Sequence, residues 1–163
     1  MAQQLFYTLD LQRHPQQPAT LAGARDVLQR WMADKLGPDW PPELFVDNGS
    51  GLSRDTRVTA KALARLLALA YESPLMPELM ASLPVTGVDG TLKRSRAPAG
   101  RAHLKTGSLR DVAGVAGYVL GDSGKRYVLV ALVNHPNANA ARPAIDALLE
   151  WTMRDQRAPY RPR

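Results

Sequence analysis

The chain has 163 residues and no cysteine, with 21 Lys and Arg against 15 Asp and Glu, a net charge of +6. That length suits one ordinary domain with its own core, and the missing cysteine excludes disulfides, a thiol nucleophile and thiolate metal ligands. His14, His103 and His135 stand far apart with no HExxH-type spacing, so the sequence implies no metal site and no cofactor.

The pattern TLAGARDVLQRWMADKL over 20–36 predicts an amphipathic helix, with Thr20 as its N-cap and Leu21, Ala24, Val27, Leu28, Trp31 and Met32 at helical spacing. Gly37 and Pro38 stop it, and a Pro-rich turn follows over 38–42. Leu44-Phe45-Val46 is a short apolar piece running into Asp47-Asn48-Gly49-Ser50-Gly51, which has the chemistry of a tight turn. Residues 59–72 are the clearest helix, with Leu63, Leu66, Leu67 and Ala70 on one face, and 75–83 predict one more short helix. From Gly87 to Gly100 the chain is loop-like and basic, most densely at 93–96.

Three strands are expected next, at 102–108, 112–120 and 125–133, the last two joined by the hairpin-type stretch Gly121-Asp122-Ser123-Gly124. Tyr127 to Val133 is apolar at successive positions, which predicts a strand covered on both faces. A final helix is expected over 140–154, with Pro143 in its first turn and Ile145, Leu148, Leu149 and Thr152 as its packed stripe. The order helix, helix, antiparallel meander, helix gives an α/β (α+β) layered fold with an antiparallel sheet flanked by helices. The domain is expected to run over 1–156, with a disordered tail at 157–163.

Lys105-Thr106-Gly107 opens the meander. On a strand edge, an ammonium offers charge, a threonine hydroxyl can bond a carboxylate, and a glycine admits a substrate backbone. The backbone N–H of Ser108 is then placed to face an oxyanion. By chance such a tripeptide occurs in about 2% of chains this long, so its weight depends on context. The bland alternative is a strand-edge lysine in water.

Two further stretches supply the context. DNGSGLSR, Asp47 to Arg54, precedes a helix, and Leu83-Pro84-Val85-Thr86-Gly87-Val88-Asp89-Gly90-Thr91-Leu92-Lys93 leads through Gly100 to His103-Leu104-Lys105-Thr106-Gly107-Ser108-Leu109. In this order and spacing the chain resembles, from about residue 1 to 154, the class C low-molecular-mass penicillin-binding proteins. These are the D-alanyl-D-alanine carboxypeptidase/endopeptidases of peptidase family S13, of the penicillin-binding protein 4 type.

The resemblance implies a β-lactamase/transpeptidase-like fold and a serine acyl-transfer enzyme of peptidoglycan metabolism, with stem peptides and β-lactams as partners. It implies that Lys105 holds the polar network around a nucleophile and that Thr106, beside Gly107, binds the substrate carboxylate. Ser108 would give one oxyanion N–H, and Arg54 would contact the free carboxylate of a diaminopimelate side chain. An alternative for Arg54 is a helix-entry residue pairing with Asp55 or Asp47, and Asp47 with its glycines would shape the turn. Arg110 departs from relatives that carry a polar amide there. The family works outside the cytoplasm, so the intact protein is expected in the periplasm or at the cell wall, although MAQQLFYTLD has no secretion-signal pattern.

The nucleophile motif Ser-x-x-Lys is missing: none of Ser50, Ser53, Ser73, Ser82, Ser95, Ser108 and Ser123 has a lysine three positions on, and no Ser-x-Asn or Tyr-x-Asn occurs. In the family both motifs lie upstream, and MAQQLFYTL resembles the helix that follows them. The chain is therefore expected to be the C-terminal part of such an enzyme, inactive alone, and to self-associate through exposed apolar surface as a homo-oligomer. A catalytically dead module that binds peptidoglycan peptides is the alternative. A nucleic-acid-binding role has only the net charge behind it, with no aromatic interleaving, and no membrane span is expected.

Overall fold

A computed structural model describes residues 1–37, 44–93, 95 and 97–155. The Pro-rich turn at 38–42, positions 94 and 96 of the basic stretch and the tail at 157–163 lie outside the described residues. The chain divides into two compact units, Met1–Arg65 and Leu66 onward.

In the first unit, α1 (Ala2–Arg13) packs on α2 (Leu21–Leu36). Thr20 caps α2 as its residue type predicts, its hydroxyl accepting from the Gly23 N–H at 2.9 Å. Asp10 of α1 is 5% exposed and ties the two helices, accepting from the Thr20 N–H at 2.7 Å, the Thr20 hydroxyl at 3.0 Å and the His14 ring at 2.8 Å. These bonds, the one from His14 first, hold its carboxyl below the usual carboxylate range. They also explain a glycine inside the first turn of a helix, where alanine is preferred. A Cβ on Gly23 would lie 2.1 Å from an Asp10 carboxylate oxygen.

The DNGSG segment is the tight turn its composition predicts. Asn48 accepts from the Ser50 N–H at 3.0 Å and the Ser50 hydroxyl at 2.6 Å, and the Gly49 N–H reaches Gln3 at 2.8 Å. Asp47 pairs with the Arg25 guanidinium, and a Ser53 hydrogen bond followed by the Arg25 charge holds its carboxyl low. Phe45 and Arg57 exchange backbone bonds at 2.9 and 2.8 Å on either side of the turn.

α3 (Ala60–Glu72) begins in the first unit and ends in the second, and α4 (Met76–Ser82) follows it. The second unit holds a three-stranded antiparallel sheet, β1 (Ala102–Leu109), β2 (Val112–Leu120) and β3 (Arg126–Asn134), in that spatial order. Short 3-10 turns span Gly90–Leu92 and Ala138–Ala141, and α5 (Arg142–Arg154) closes the unit. This is the mixed helix and antiparallel-sheet class expected.

One sheet face and α5 make the core: Leu104, Val115, Val119, Leu129, Leu149 and Met153 are all under 6% exposed. Each fully buried leucine there contributes about 1.5–3 kcal/mol relative to exposure. At Gly117, φ is +149° and a Cβ would sit 2.2 Å from the His103 carbonyl oxygen, so β1 and β2 approach there only because no side chain intervenes. Asp155, just past α5, accepts from the Ser123 N–H at 3.1 Å and the Tyr127 hydroxyl at 3.0 Å, locking the β2–β3 hairpin to the helix end.

The expectation that β3 is covered on both faces is met in part: Leu129 on the α5 side is buried, and Tyr127, Ala131 and Val133 on that face and Val128, Val130 and Leu132 on the other are half-buried. Within this unit that face is covered at the Tyr118 end, where the phenol donates to the Leu67 carbonyl at 2.8 Å and the ring lies 5.5 Å from Tyr71. No helix among the described residues is long and apolar enough to cross a membrane.

Candidate carboxylate-binding site

β1 changes character along its length. Over its first half the outer edge is taken: the Leu104 N–H donates to Pro84 O at 2.9 Å, and the Thr86 N–H donates to Ala102 O at 3.0 Å. From Lys105 onward no strand pairs this edge among the described residues. Backbone direction alternates along an antiparallel strand. Since Ala102 and Leu104 face outward, Thr106 and Ser108 turn their N–H and C=O groups to the same open edge. The tripeptide therefore lies where a strand ladder ends and an unpaired edge begins.

Their side chains continue the inner face on which Ala102 and Leu104 are fully buried, but Thr106 is half-buried and Ser108 exposed. Lys105 is exposed, and its Nζ donates to the Thr106 carbonyl at 2.8 Å. A Cβ on Gly107 would meet nothing within 4 Å, so the glycine leaves free space beside the strand. Gly114 stands opposite it on β2.

The edge opens onto a cleft of about 650 Å³ with a floor that includes Leu104, Val115 and Leu149. Lys93, Lys105 and Arg142 line it against the carboxylate of Asp146, which gives the cleft a cationic balance.

The segment 83–93 is organised to frame this cleft. Thr86 is fully buried, its hydroxyl donating to Pro98 O at 2.9 Å and accepting from the Ala102 N–H at 3.2 Å. Asp89 accepts from the Val85 N–H at 2.6 Å, the Gly87 N–H donates to Leu92 O at 3.0 Å, and Leu92 enters the core. What remains at the rim is the Thr91 hydroxyl, 2.6 Å from that of Thr106. On the other side the Ser108 hydroxyl donates to Asn139 Oδ1 at 3.2 Å.

The structure brings Lys105, Thr106, Gly107 and Ser108 together on one cleft. Arg54 belongs to the first unit, where it is exposed and its carbonyl accepts from Arg57 at 2.6 Å. Sequence reasoning missed Thr91, Asn139, Arg142 and Asp146. Thr91 was visible within the quoted stretch but its partner is fifteen positions away; Arg142 and Asp146 are one helical turn apart beside the apolar stripe of α5.

Chemically, the site offers an ammonium, a hydroxyl and outward N–H groups to an acceptor-only ligand such as a carboxylate lying along the strand. Among the described residues, the Thr91 and Thr106 hydroxyls bond each other and the Ser108 hydroxyl bonds Asn139, so none of the three is paired with a lysine or histidine base.

The chain is similar to several known proteins. The chain is 34% identical over 135 residues to the D-alanyl-D-alanine carboxypeptidase of Actinomadura sp., covering 78% of this chain and 24% of that protein. It is 37% identical over 122 residues to carboxypeptidase DacB of Mycolicibacterium smegmatis, covering 69% and 26%. The chain thus spans about a quarter of the length of these curated relatives. The crystal structure of penicillin-binding protein 4 (dacB) from Haemophilus influenzae, complexed with a β-lactam, superposes with a TM-score of 0.71 at 23% identity, over 91% of this chain and 38% of that one, and so shares the fold. The family model of the D-Ala-D-Ala carboxypeptidase 3 (S13) family matches residues 1–155, and the chain belongs to that family.

Proposed function

We propose that these residues form the carboxylate-gripping and oxyanion-facing part of a serine-type D-Ala-D-Ala carboxypeptidase/endopeptidase acting on peptidoglycan outside the cytoplasm. The supporting observation is the open half of β1, where Thr106 and Ser108 face their backbone groups outward along a cationic cleft. A stem peptide lies antiparallel to this edge, and its terminal carboxylate meets the Thr106 hydroxyl. Gly107 admits its backbone, and the Ser108 N–H faces the scissile carbonyl oxygen as negative charge develops. Lys105 supplies positive charge next to the reacting group. Arg54 serves the free carboxylate of a diaminopimelate side chain.

Acyl transfer also needs a nucleophile and a base, and no serine in the 163 residues has a lysine three positions on. We therefore assign binding and polarisation, but not covalent catalysis, to this chain alone. Loss of a nucleophile removes nearly all covalent catalysis, leaving a factor of about 10³ over water. Incubating the 163-residue chain with a labelled penicillin and recording its intact mass is the test. The expected result is unmodified protein; a stable stoichiometric adduct overturns the assignment.

The outer edge of β3, which no strand pairs among the described residues of its unit, and the exposed Leu148 and Trp151 of α5 favour self-association of the isolated chain. Light scattering across a concentration series should show mass above that of the monomer; a monomer at high concentration contradicts it.

A further inference from the structure

The geometry points to Thr91 as a positioning residue that sets the hydroxyl of Thr106 to donate to a carboxylate; this rests on the reading of the cleft given above. Two threonine oxygens 2.6 Å apart share one proton, so one hydroxyl donates and the other keeps its own proton free. If Thr106 donates to Thr91, its proton is withheld from the cleft. If Thr91 donates to Thr106, the Thr106 proton is turned to the ligand.

A carboxylate can only accept. Its arrival therefore selects the chain Thr91 to Thr106 to carboxylate, in which each bond polarises the next. A terminal carboxamide, neutral and itself able to donate, draws less from such a chain.

Thr91 is not needed to hold its own loop. Thr86 anchors the loop to Pro98 and Ala102, Asp89 closes it on Val85, and Leu92 fixes it in the core. Thr91 itself is exposed at the rim of the cleft. Its hydroxyl is thus available for a role in recognition, and replacing it by an isosteric methyl should leave the fold intact.

The test measures Kd for N-acetyl-D-Ala-D-Ala and for its C-terminal carboxamide with the 163-residue chain and with Thr91→Val, Thr91→Ser and Thr106→Val. The expected results are an acid preference in the wild type, a fall in that preference of about fivefold in Thr91→Val, and its retention in Thr91→Ser. Melting temperatures of the variants should match the wild type. An unchanged acid-to-amide ratio in Thr91→Val, alongside its loss in Thr106→Val, overturns the role of Thr91 alone. Equal loss in Thr91→Ser and Thr91→Val also overturns it, since the hydroxyl is then not the agent. A wild type that does not prefer the acid overturns both this role and the reading of the cleft.

Discussion

The two units hold themselves together by different means. In the first, charged side chains tie elements together beside a small set of buried apolar residues such as Phe6, Met32 and Leu36: Asp10 joins α1 to the cap of α2, and Asp47 joins Arg25 to the turn that follows. In the second, an apolar cluster on the sheet and α5 sets the arrangement, and none of its members ionises. The difference teaches why the candidate site sits where it does. An unpaired, hydroxyl-bearing strand edge is costly to order, and it lies directly beside the apolar cluster of its unit, with fully buried Leu104 one residue before Lys105.

The largest break in this comparison should come from Leu104→Ala, which removes a fully buried side chain under the cleft floor. A loss of about 2–5 kcal/mol is expected from urea melts. A change near zero would mean the second unit does not rest on this cluster.

Acid should open the first unit before the sheet of the second. The carboxyls of Asp10 and Asp47 are held below their ordinary value of 3.8, so their stabilisation is complete above that pH and is lost as pH falls through the folded values beneath it. Asp155 in the second unit is depressed as well, chiefly by Ser123, and its loss should free the β2–β3 hairpin while the sheet persists. Amide exchange between pH 5 and pH 2.5 (roughly the carboxylate range) should open α1 and the start of α2 before β2. Simultaneous opening would show the two units to be equally acid-sensitive.

A smaller effect is expected from Thr20→Ala, which removes the α2 cap and should cost about 1 kcal/mol. The smallest is Trp151→Ser: the side chain is 73% exposed, so stability should stay within about 0.5 kcal/mol while self-association falls. Undiminished association would place the contact elsewhere.

Much of the fold was legible in the sequence, because its signals were local. The three strands, the Gly121–Gly124 connection, the Thr20 cap and Pro143 in the first turn of α5 all follow from spacing and residue type. α1 was not read from periodicity. It buries Phe6 and Asp10, so one of its inward positions is an acid that no apolar pattern reveals, and only the resemblance of MAQQLFYTL pointed to a helix. The half-covered face of β3 was equally hidden, since an apolar run does not state which neighbours will cover it. At the site, Lys105 to Ser108 were legible as a motif. Thr91 and Asn139 were not, because each acts on a residue far away in sequence through a contact made only in the folded loop.

The central claim is that the open half of β1 binds carboxylates. It is tested most directly by titrating ¹⁵N-labelled chain with N-acetyl-D-Ala-D-Ala and following each amide. The account predicts saturable shifts centred on Thr106, Gly107 and Ser108 that extend to Thr91. Shifts confined to other surfaces, or none at millimolar ligand, would contradict it.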